Sequence, residues 1–272
     1  MNRKTVFKGM IAACPLLCVA ILAAQGTGQV IQGEQIETLL TQAKVTKMTG
    51  ISEGVTLPRK ATLEFEGDTQ FGVFKTIDEG PVPTKQLDRG IELQFQDSWR
   101  TEIAAYELDK LIGLGMVPAT VERTIDGKHG SLQFWVTTKM NEEERLKKKL
   151  SAPNGIAWNQ QVAKLRLWDN LIYNTDRNMG NLLITEDWKL RLIDHSRTFR
   201  PFDKLKDPNT LTIFSRSLLA KLEELNEAVL KEHLGKYLTP YQIQGLLKRR
   251  DAILDRSKEL IAAKGAGAVL YQ

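Results

Sequence analysis

The stretch 176–194, DRNMGNLLITEDWKLRLID, constrains this chain more than any other. A turn, a short apolar run (182–184), a polar tip (185–188) and a second alternating run (190–193) follow one another. Turn chemistry and run lengths of this kind predict a β-hairpin. Asp176 stands five residues before Asn181, and Asp194 ends the second run. One end of a stiff hairpin then carries two carboxylates and a carboxamide, the oxygen ligands that a hard divalent cation takes. Polar residues at hairpin ends are commonplace, so the spacing needs support from the rest of the chain.

At 272 residues the chain is long enough for one large or two small domains with a buried core. It shows no repeat and no low-complexity tract. Residues 1–26 have a basic start, an apolar run over 10–24 and small residues at the exit, the layout of a secretory signal peptide cleaved after Ala24 or Gly26. A membrane span wants about 20 apolar residues, so an uncleaved anchor is the lesser alternative and the only expected membrane contact. A lipobox at Cys14 is disfavoured by the apolar residues beyond it. Export, periplasmic or secreted, is the expectation.

Cys14 and Cys18 both lie in that segment, leaving a mature domain without disulfides or thiolate metal ligands. Arg3, Lys4 and Lys8 lie there too, so the formal charge of +5 falls to +2 without it. That is too weak a bias to indicate nucleic acid. With three histidines and no mature cysteine, a nucleophilic triad or a zinc site is poorly supplied.

Along the chain, Ile36, Leu39, Leu40 and Val45 predict an amphipathic helix over 33–47, broken at Gly50. Strands are expected at 61–66 and 70–77 with a turn at Gly67-Asp68. Lys75 sits in the second strand, where a lysine is most simply an outward, solvated residue; a phosphate-binding lysine would occupy the same place. Residues 79–90, rich in Gly, Pro and charge, read as a loop. A helix capped by Ser98 and ended by Gly113 and Gly115 carries Glu102 and Glu107, whose plain reading is a wet face. Residues 116–124 and 130–138 predict a second hairpin around Asp126-Gly127. The charge run 142–149 reads as an exposed helix or linker. Trp158, Val162, Leu165, Trp168 and Ile172 form one helix face running into the Asp176 turn. Residues 195–209 are irregular, and 213–235 and 240–264 are helical.

Strands with one helix thus precede helices with one hairpin, an α+β chain of two lobes. The expected division is a lead-in at 27–54, a β-rich nucleotide-binding lobe at 55–140, a linker at 141–157 and a helical catalytic lobe at 158–272. Lys75, Glu102, Asp176, Asn181 and Asp194 occur in that order, and phosphoryl transfer from ATP needs just these parts. A lysine holds phosphates and is oriented by a helix carboxylate, a second carboxylate takes the acceptor's proton, and an Asn–Asp pair holds magnesium.

The wording around these residues resembles the phosphoinositide 3-/4-kinase-like branch of the protein-kinase-like superfamily. WDNLIYNTDRNMGNLLI is similar to its catalytic segment and LRLIDHSRTF to its metal-binding segment. GVFKTI and WRTEIAAYELDKLIGLGMVPATV resemble its lysine strand and acidic helix. The likeness runs roughly from Gly54 to Phe199, and HipA-type toxin kinases and secretory-pathway kinases share the outline. It implies a bilobal kinase-like fold with ATP and Mg2+ as cofactors. Asp176 would be the base or hydroxyl-orienting residue; Asn181 and Asp194 would bind Mg2+. Lys75 would contact phosphates, with Glu102 or else Glu107 orienting it. Gln133, Phe134, Trp135 and Val136 would form the hinge along which adenine lies. Arg177 would neutralise transferred phosphate or anchor the loop, and His195 would be a supporting or packing residue.

The sequence departs from the broader superfamily in lacking G-x-G-x-x-G before Lys75 and in having no recognisable activation segment. The acceptor is an unidentified hydroxyl, of a protein, lipid or small molecule. The expected function is an ATP- and Mg2+-dependent phosphotransferase. The alternative is a catalytically idle kinase-like domain that binds nucleotide or a protein partner, and a purely structural envelope protein is the third reading.

Overall fold

The structure, a computed structural model, describes residues 29–51, 58–88 and 90–272. Residues 1–26, expected to be a signal peptide, lie outside these residues. Among the described residues no helix is long and apolar enough to cross a membrane.

The first lobe begins with helix α1 (Glu34–Gln42), which is shorter than expected. Its helical spacing runs on in the sequence, but β-branched Val45, Thr46 and Thr49 place Lys44–Gly50 in strand β1 instead. Strands β2 (Arg59–Phe65) and β3 (Asp68–Lys75) follow. Their connecting residues Glu66 and Gly67 both have positive φ, the form a two-residue hairpin prefers. Beyond β3 the expected loop is absent. Strands β4 (Asp78–Leu87) and β5 (Gly90–Ser98) form a separate antiparallel ribbon, followed by helix α2 (Trp99–Ile112). Ile91 and Leu93 stay exposed on this ribbon. With so little apolar surface to bury, its sequence carries little strand signature.

Strands β6 (Thr120–Ile125) and β7 (Lys128–Phe134) turn at Asp126-Gly127 and complete an antiparallel sheet in the order β1-β2-β3-β7-β6. Gly130 permits the closest approach in this sheet. A Cβ there would fall 2.1 Å from the Lys75 carbonyl oxygen, so a side chain would push β7 away from the end of β3. Ala61 and Leu63 of β2, Phe74 of β3 and Leu132 of β7 are buried in the sheet, with α1 against β2, β6 and β7 and α2 against β6 and β7.

The second lobe starts with β8 (Met140–Asn141) and the short helix α3 (Glu142–Lys147), whose exposed ion pairs match a mixed-charge surface. Helix α4 (Gly155–Leu171) buries Leu165, Leu167, Trp168 and Leu171. Strands β9 (Leu182–Ile184) and β10 (Leu190–Leu192) are the expected hairpin, extended by β8. Strand β11 (Phe214–Ser215) precedes helices α5 (Arg216–Glu224) and α6 (Glu227–Leu234). A single helical stretch was expected over these residues; it breaks because Asn226 caps α6, its Oδ1 accepting from Val229 N at 3.1 Å. Helix α7 (Pro240–Lys264) starts with a full capping box between Thr239 and Gln242. After α8 (Ala266–Val269), β12 (Leu270–Tyr271) pairs parallel with β11. The fold is α+β, a β-rich first lobe beside a mainly helical second one, and one continuous buried cluster joins them.

Candidate active site

Lys75 ends β3, and its ammonium lies 2.5 Å from Glu102 Oε1 and 2.8 Å from Asp194 Oδ1. The solvated reading of Lys75 is therefore corrected: its side chain is 12% exposed and doubly paired. Glu102 sits in the first turn of α2, 2% exposed, with the start of that helix fixed by Ser98 Oγ accepting from Arg100 N. The helix turns Glu102 inward and leaves Glu107 on Lys110, 3.0 Å away, so Glu102 is the lysine's partner. Glu102 Oε2 accepts from the backbone N–H of His195 at 3.0 Å.

Asp194 follows β10 with φ of 60°, a left-handed conformation that an Asp tolerates better than most residues. Strain of this kind collects where surrounding contacts override it. Burial disfavours the Asp194 charge, but Lys75 outweighs it and holds the carboxyl down at about 2. For Glu102, burial wins and pushes its pKa up, Lys75 opposing and the Asp194 charge adding to the rise. Lys75 is pushed up despite burial, because both carboxylates favour its ammonium form. The two acids sharing one lysine are thus pushed in opposite directions, Asp194 down and Glu102 up.

Asn181 Nδ2 lies 3.4 Å from Asp194 Oδ2. A half turn of the amide puts its oxygen there instead. The pair then offers one carboxylate and one carbonyl oxygen side by side, which suits Mg2+ with phosphate and water oxygens completing its shell. Among the described residues no group of three or more His, Cys, Asp or Glu side chains is placed to hold a metal ion.

The loop carrying Asp176 is braced from below. Asn174, 1% exposed, donates to Asp169 Oδ1 at 3.1 Å and accepts from Asp176 N at 2.9 Å. Asn178 Oδ1 accepts from Asn181 N at 3.1 Å and fixes the turn into β9. The Asp176 carboxylate is 38% exposed, with Arg197 Nη1 3.6 Å away. Arg177 is an anchor. Its guanidinium, 11% exposed, holds Asp169 at 3.1 Å, the Ile193 carbonyl at 2.8 Å and His195 Nε2 at 3.2 Å. Those contacts tie the loop to the segment after β10 and leave little of Arg177 for a phosphate.

The expected hinge residues straddle the end of β7, with Gln133 and Phe134 closing the strand and Trp135 and Val136 following it. Gln133 donates to Thr120 Oγ1 at 2.9 Å, Phe134 and Val136 are buried, and Lys60 Nζ lies 4.0 Å from the Trp135 ring centroid. The Gln29 amide bridges the backbone here, donating to Trp135 O at 3.3 Å and accepting from Thr137 N at 2.7 Å. Any hinge-bound base would meet those two groups already partnered.

Sequence reasoning missed the ribbon's part. β5 runs beside the segment after Asp194: Ser98 N donates to Ser196 O at 3.0 Å, and Arg197 Nε to Asp97 Oδ2 at 3.1 Å. Gln96 donates to Thr198 O, and fully buried Arg200 binds Glu92 and the Gln94 carbonyl. Arg249 supports it further by donating to Leu171 O and Arg200 O, each at 2.8 Å. The contacts of β5 with residues 196–200 span about 100 residues of sequence, and no local pattern announces them. Two cavities of about 460 and 470 Å³ lie elsewhere, lined by none of Lys75, Glu102, Asn181 or Asp194. The site is located by converging charge and strained backbone, which carry chemistry that concavity alone does not.

No family model matches the chain, and no curated protein matches it. The fold is similar to that of hydra Fam20, solved with sugar: TM-score 0.67 at 17% identity, covering 87% of this chain and 91% of that one. It is also similar to the Golgi casein kinase, with TM-score 0.57 at 16% identity, covering 87% of this chain and 78% of the other. The fold is kinase-like.

Proposed function

We propose that this chain is an ATP- and Mg2+-dependent phosphotransferase acting on a hydroxyl acceptor. One observation carries the reading. Residues 75, 102 and 194, far apart in sequence, form a Glu–Lys–Asp chain that runs from buried Glu102 to partly exposed Asp194, with Asn181 beside the Asp194 carboxylate. Structural ion pairs rarely require a strained carboxylate flanked by a carboxamide. Phosphoryl transfer requires this set.

In the reaction, the acceptor oxygen forms a new bond to the γ-phosphorus as the bond to the ADP oxygen breaks. The acceptor's proton passes to Asp176, whose carboxylate is 38% exposed beside Arg197. Lys75, held by Glu102, binds phosphate oxygens; Asn181 and Asp194 hold the metal, which when bound neutralises phosphate charge. Arg177 keeps the Asp176 loop in register with Asp194. Catalysis is then positioning plus preorganised charge. Residues 55–140 would hold the nucleotide with adenine along 133–136, and residues 158–272 would carry the chemistry.

The motif segments around Asp176 and Asp194 support placement near the phosphoinositide 3-/4-kinase-like branch. The acceptor class is a separate matter. The names of the two similar structures bring sugar and protein hydroxyls into consideration beside lipids. The layout of residues 1–26 supports export.

The test is transfer of labelled phosphate from ATP by purified chain lacking residues 1–26, with casein, phosphoinositide vesicles and simple sugars as acceptors. Lys75→Met and Asp194→Asn should each lower turnover at least about 100-fold, the loss expected of a charge that stabilises the transition state. Activity unchanged in both correctly folded variants overturns the proposal. Nucleotide-dependent thermal stabilisation without transfer supports the idle-domain reading instead.

A further inference from the structure

A second site lies at the other end of the β9–β10 hairpin. A cavity of about 470 Å³ opens between the hairpin tip, the first turns of α4 and the loop after α2. Its volume falls within the range of small-molecule sites. The indoles of Trp158 and Trp188 meet edge to face in its wall, centroids 6.0 Å apart. Three cations line it: Lys164, Lys189 and Arg191.

Little opposes that charge. Lys164 is half-buried and makes neither a hydrogen bond nor an ion pair among the described residues. Arg191 donates to Gly115 O at 2.8 Å, while its Nε is buried without a partner. Asp187 is the carboxylate side chain in the lining, 3.6 Å from Lys189 and accepting from the Thr185 hydroxyl. Asp109 also acts on Arg191, but its oxygens already accept three backbone N–H groups and the Gln32 amide. Burial lowers the pKa of Arg191, with Asp187 and Asp109 acting against it.

The walls are preformed. Gln161 of α4 grips the hairpin, donating to Trp188 O at 3.0 Å and accepting from Leu190 N at 2.8 Å. Tyr271 closes one side by donating to Gln160 O at 3.0 Å. A rigid pocket with flat aromatic walls and surplus positive charge selects a ligand of matching shape and opposite sign.

We propose that this cavity binds a small aromatic anion, its ring against the Trp158–Trp188 corner and its carboxylate or phosphate on Lys164, Lys189 and Arg191. The site is separate from the Lys75–Asp194 cluster and does not depend on the phosphotransfer reading.

Phenyl phosphate and benzoate serve as probes, with benzyl alcohol as the neutral control, read by tryptophan fluorescence and ligand-observed NMR on the folded chain. Both anions should bind saturably, and benzyl alcohol much more weakly. The double variant Lys164→Gln, Lys189→Gln should weaken anion binding at least about fivefold, as expected for loss of charge-assisted bonds, with an unchanged circular dichroism spectrum. Lys75→Met should leave binding intact. No saturation by about 10 mM, well above the range such fragments reach in a matched pocket, overturns the proposal. So does equal binding of benzyl alcohol. Binding abolished by Lys75→Met but kept in the double variant places the anions at the phosphotransfer cluster and overturns it as well.

Discussion

His195 Nε2 receives the Arg177 guanidinium at 3.2 Å, and Trp168 Nε1 approaches the same nitrogen at the same distance. Both partners only donate, so Nε2 carries no proton and the ring proton sits on Nδ1. Burial, and then the Arg177 charge, push the imidazole's pKa well below its usual value. Nδ1 points to Glu102 Oε2 at 3.8 Å. The neutral ring therefore holds the Asp176 loop through Nε2, while the His195 backbone N–H, not the unpartnered Nδ1, reaches Glu102. Replacement by Phe leaves two buried donors unsatisfied and should cost roughly 1–3 kcal/mol in urea unfolding. Under the proposed function, His195→Phe should reduce turnover at least about tenfold while changing nucleotide affinity less, because alignment is lost before binding is. His195→Gln, which restores an acceptor, should recover part of that loss. Equal loss in both variants would remove the positioning role.

Asn181 is expected to control the metal requirement. Asn181→Ala removes one of two side-chain oxygens, so the Mg2+ concentration giving half-maximal ATP binding should rise about tenfold or more. Chelation by EDTA should abolish nucleotide-dependent stabilisation in the parent chain. A metal titration of the thermal shift checks both statements.

Asp109 is completely buried and accepts from Gly115, Met116 and Val117 N–H at 2.8–2.9 Å. Its carboxylate closes the end of α2 onto β6 and so fixes the helix that carries Glu102. Asp109→Ala leaves these donors buried without partners and should destabilise the fold by about 3 kcal/mol, lowering the urea midpoint at unchanged slope. Fluorescence-monitored unfolding gives the answer directly.

Glu37 joins α1 to α2, accepting from Tyr106 Oη at 2.6 Å and from Lys110 Nζ at 3.0 Å. Burial acts against its charge, but those two donors prevail and hold its pKa below the ordinary carboxylate value. A depressed folded-state pKa adds stability above the unfolded value, and that stability disappears as pH falls through the folded one. Glu37→Gln should therefore cost roughly 1 kcal/mol at pH 7, discounted for partial exposure, and the difference from the parent should close below about pH 4. A gap of constant size from pH 7 to pH 3 would contradict this account.

Much of the architecture is legible locally. The Asp126-Gly127 turn, the capped helix after Ser98, the α4 face built on Trp168 and the β9–β10 hairpin all follow from spacing and turn chemistry. The ribbon over residues 78–98 was read in part as a loop, because its strands expose most of both faces and so lack apolar alternation. The helix that the spacing predicts over 33–47 overlaps the start of β1, because a short half-exposed segment fits either period. The pairing of β11 with β12 brings Phe214 to Leu270, and nothing in either dipeptide foretells it.

The sequence by itself determined the order of the elements and the oxygen-rich ends of the 176–194 hairpin, because turn propensity and apolar periodicity act over a few residues. It also supplied Lys75, Glu102, Asn181 and Asp194 as the residue types that phosphate and a hard cation need. Only the tertiary structure decided that Lys75 is largely buried rather than solvated, that Glu102 rather than Glu107 is its partner, and that the Arg177 guanidinium is taken up by Asp169 and the Ile193 carbonyl. Those outcomes depend on desolvation and on charges brought within 3 Å from 27 and 119 residues away, and such energies do not exist until the two lobes have packed.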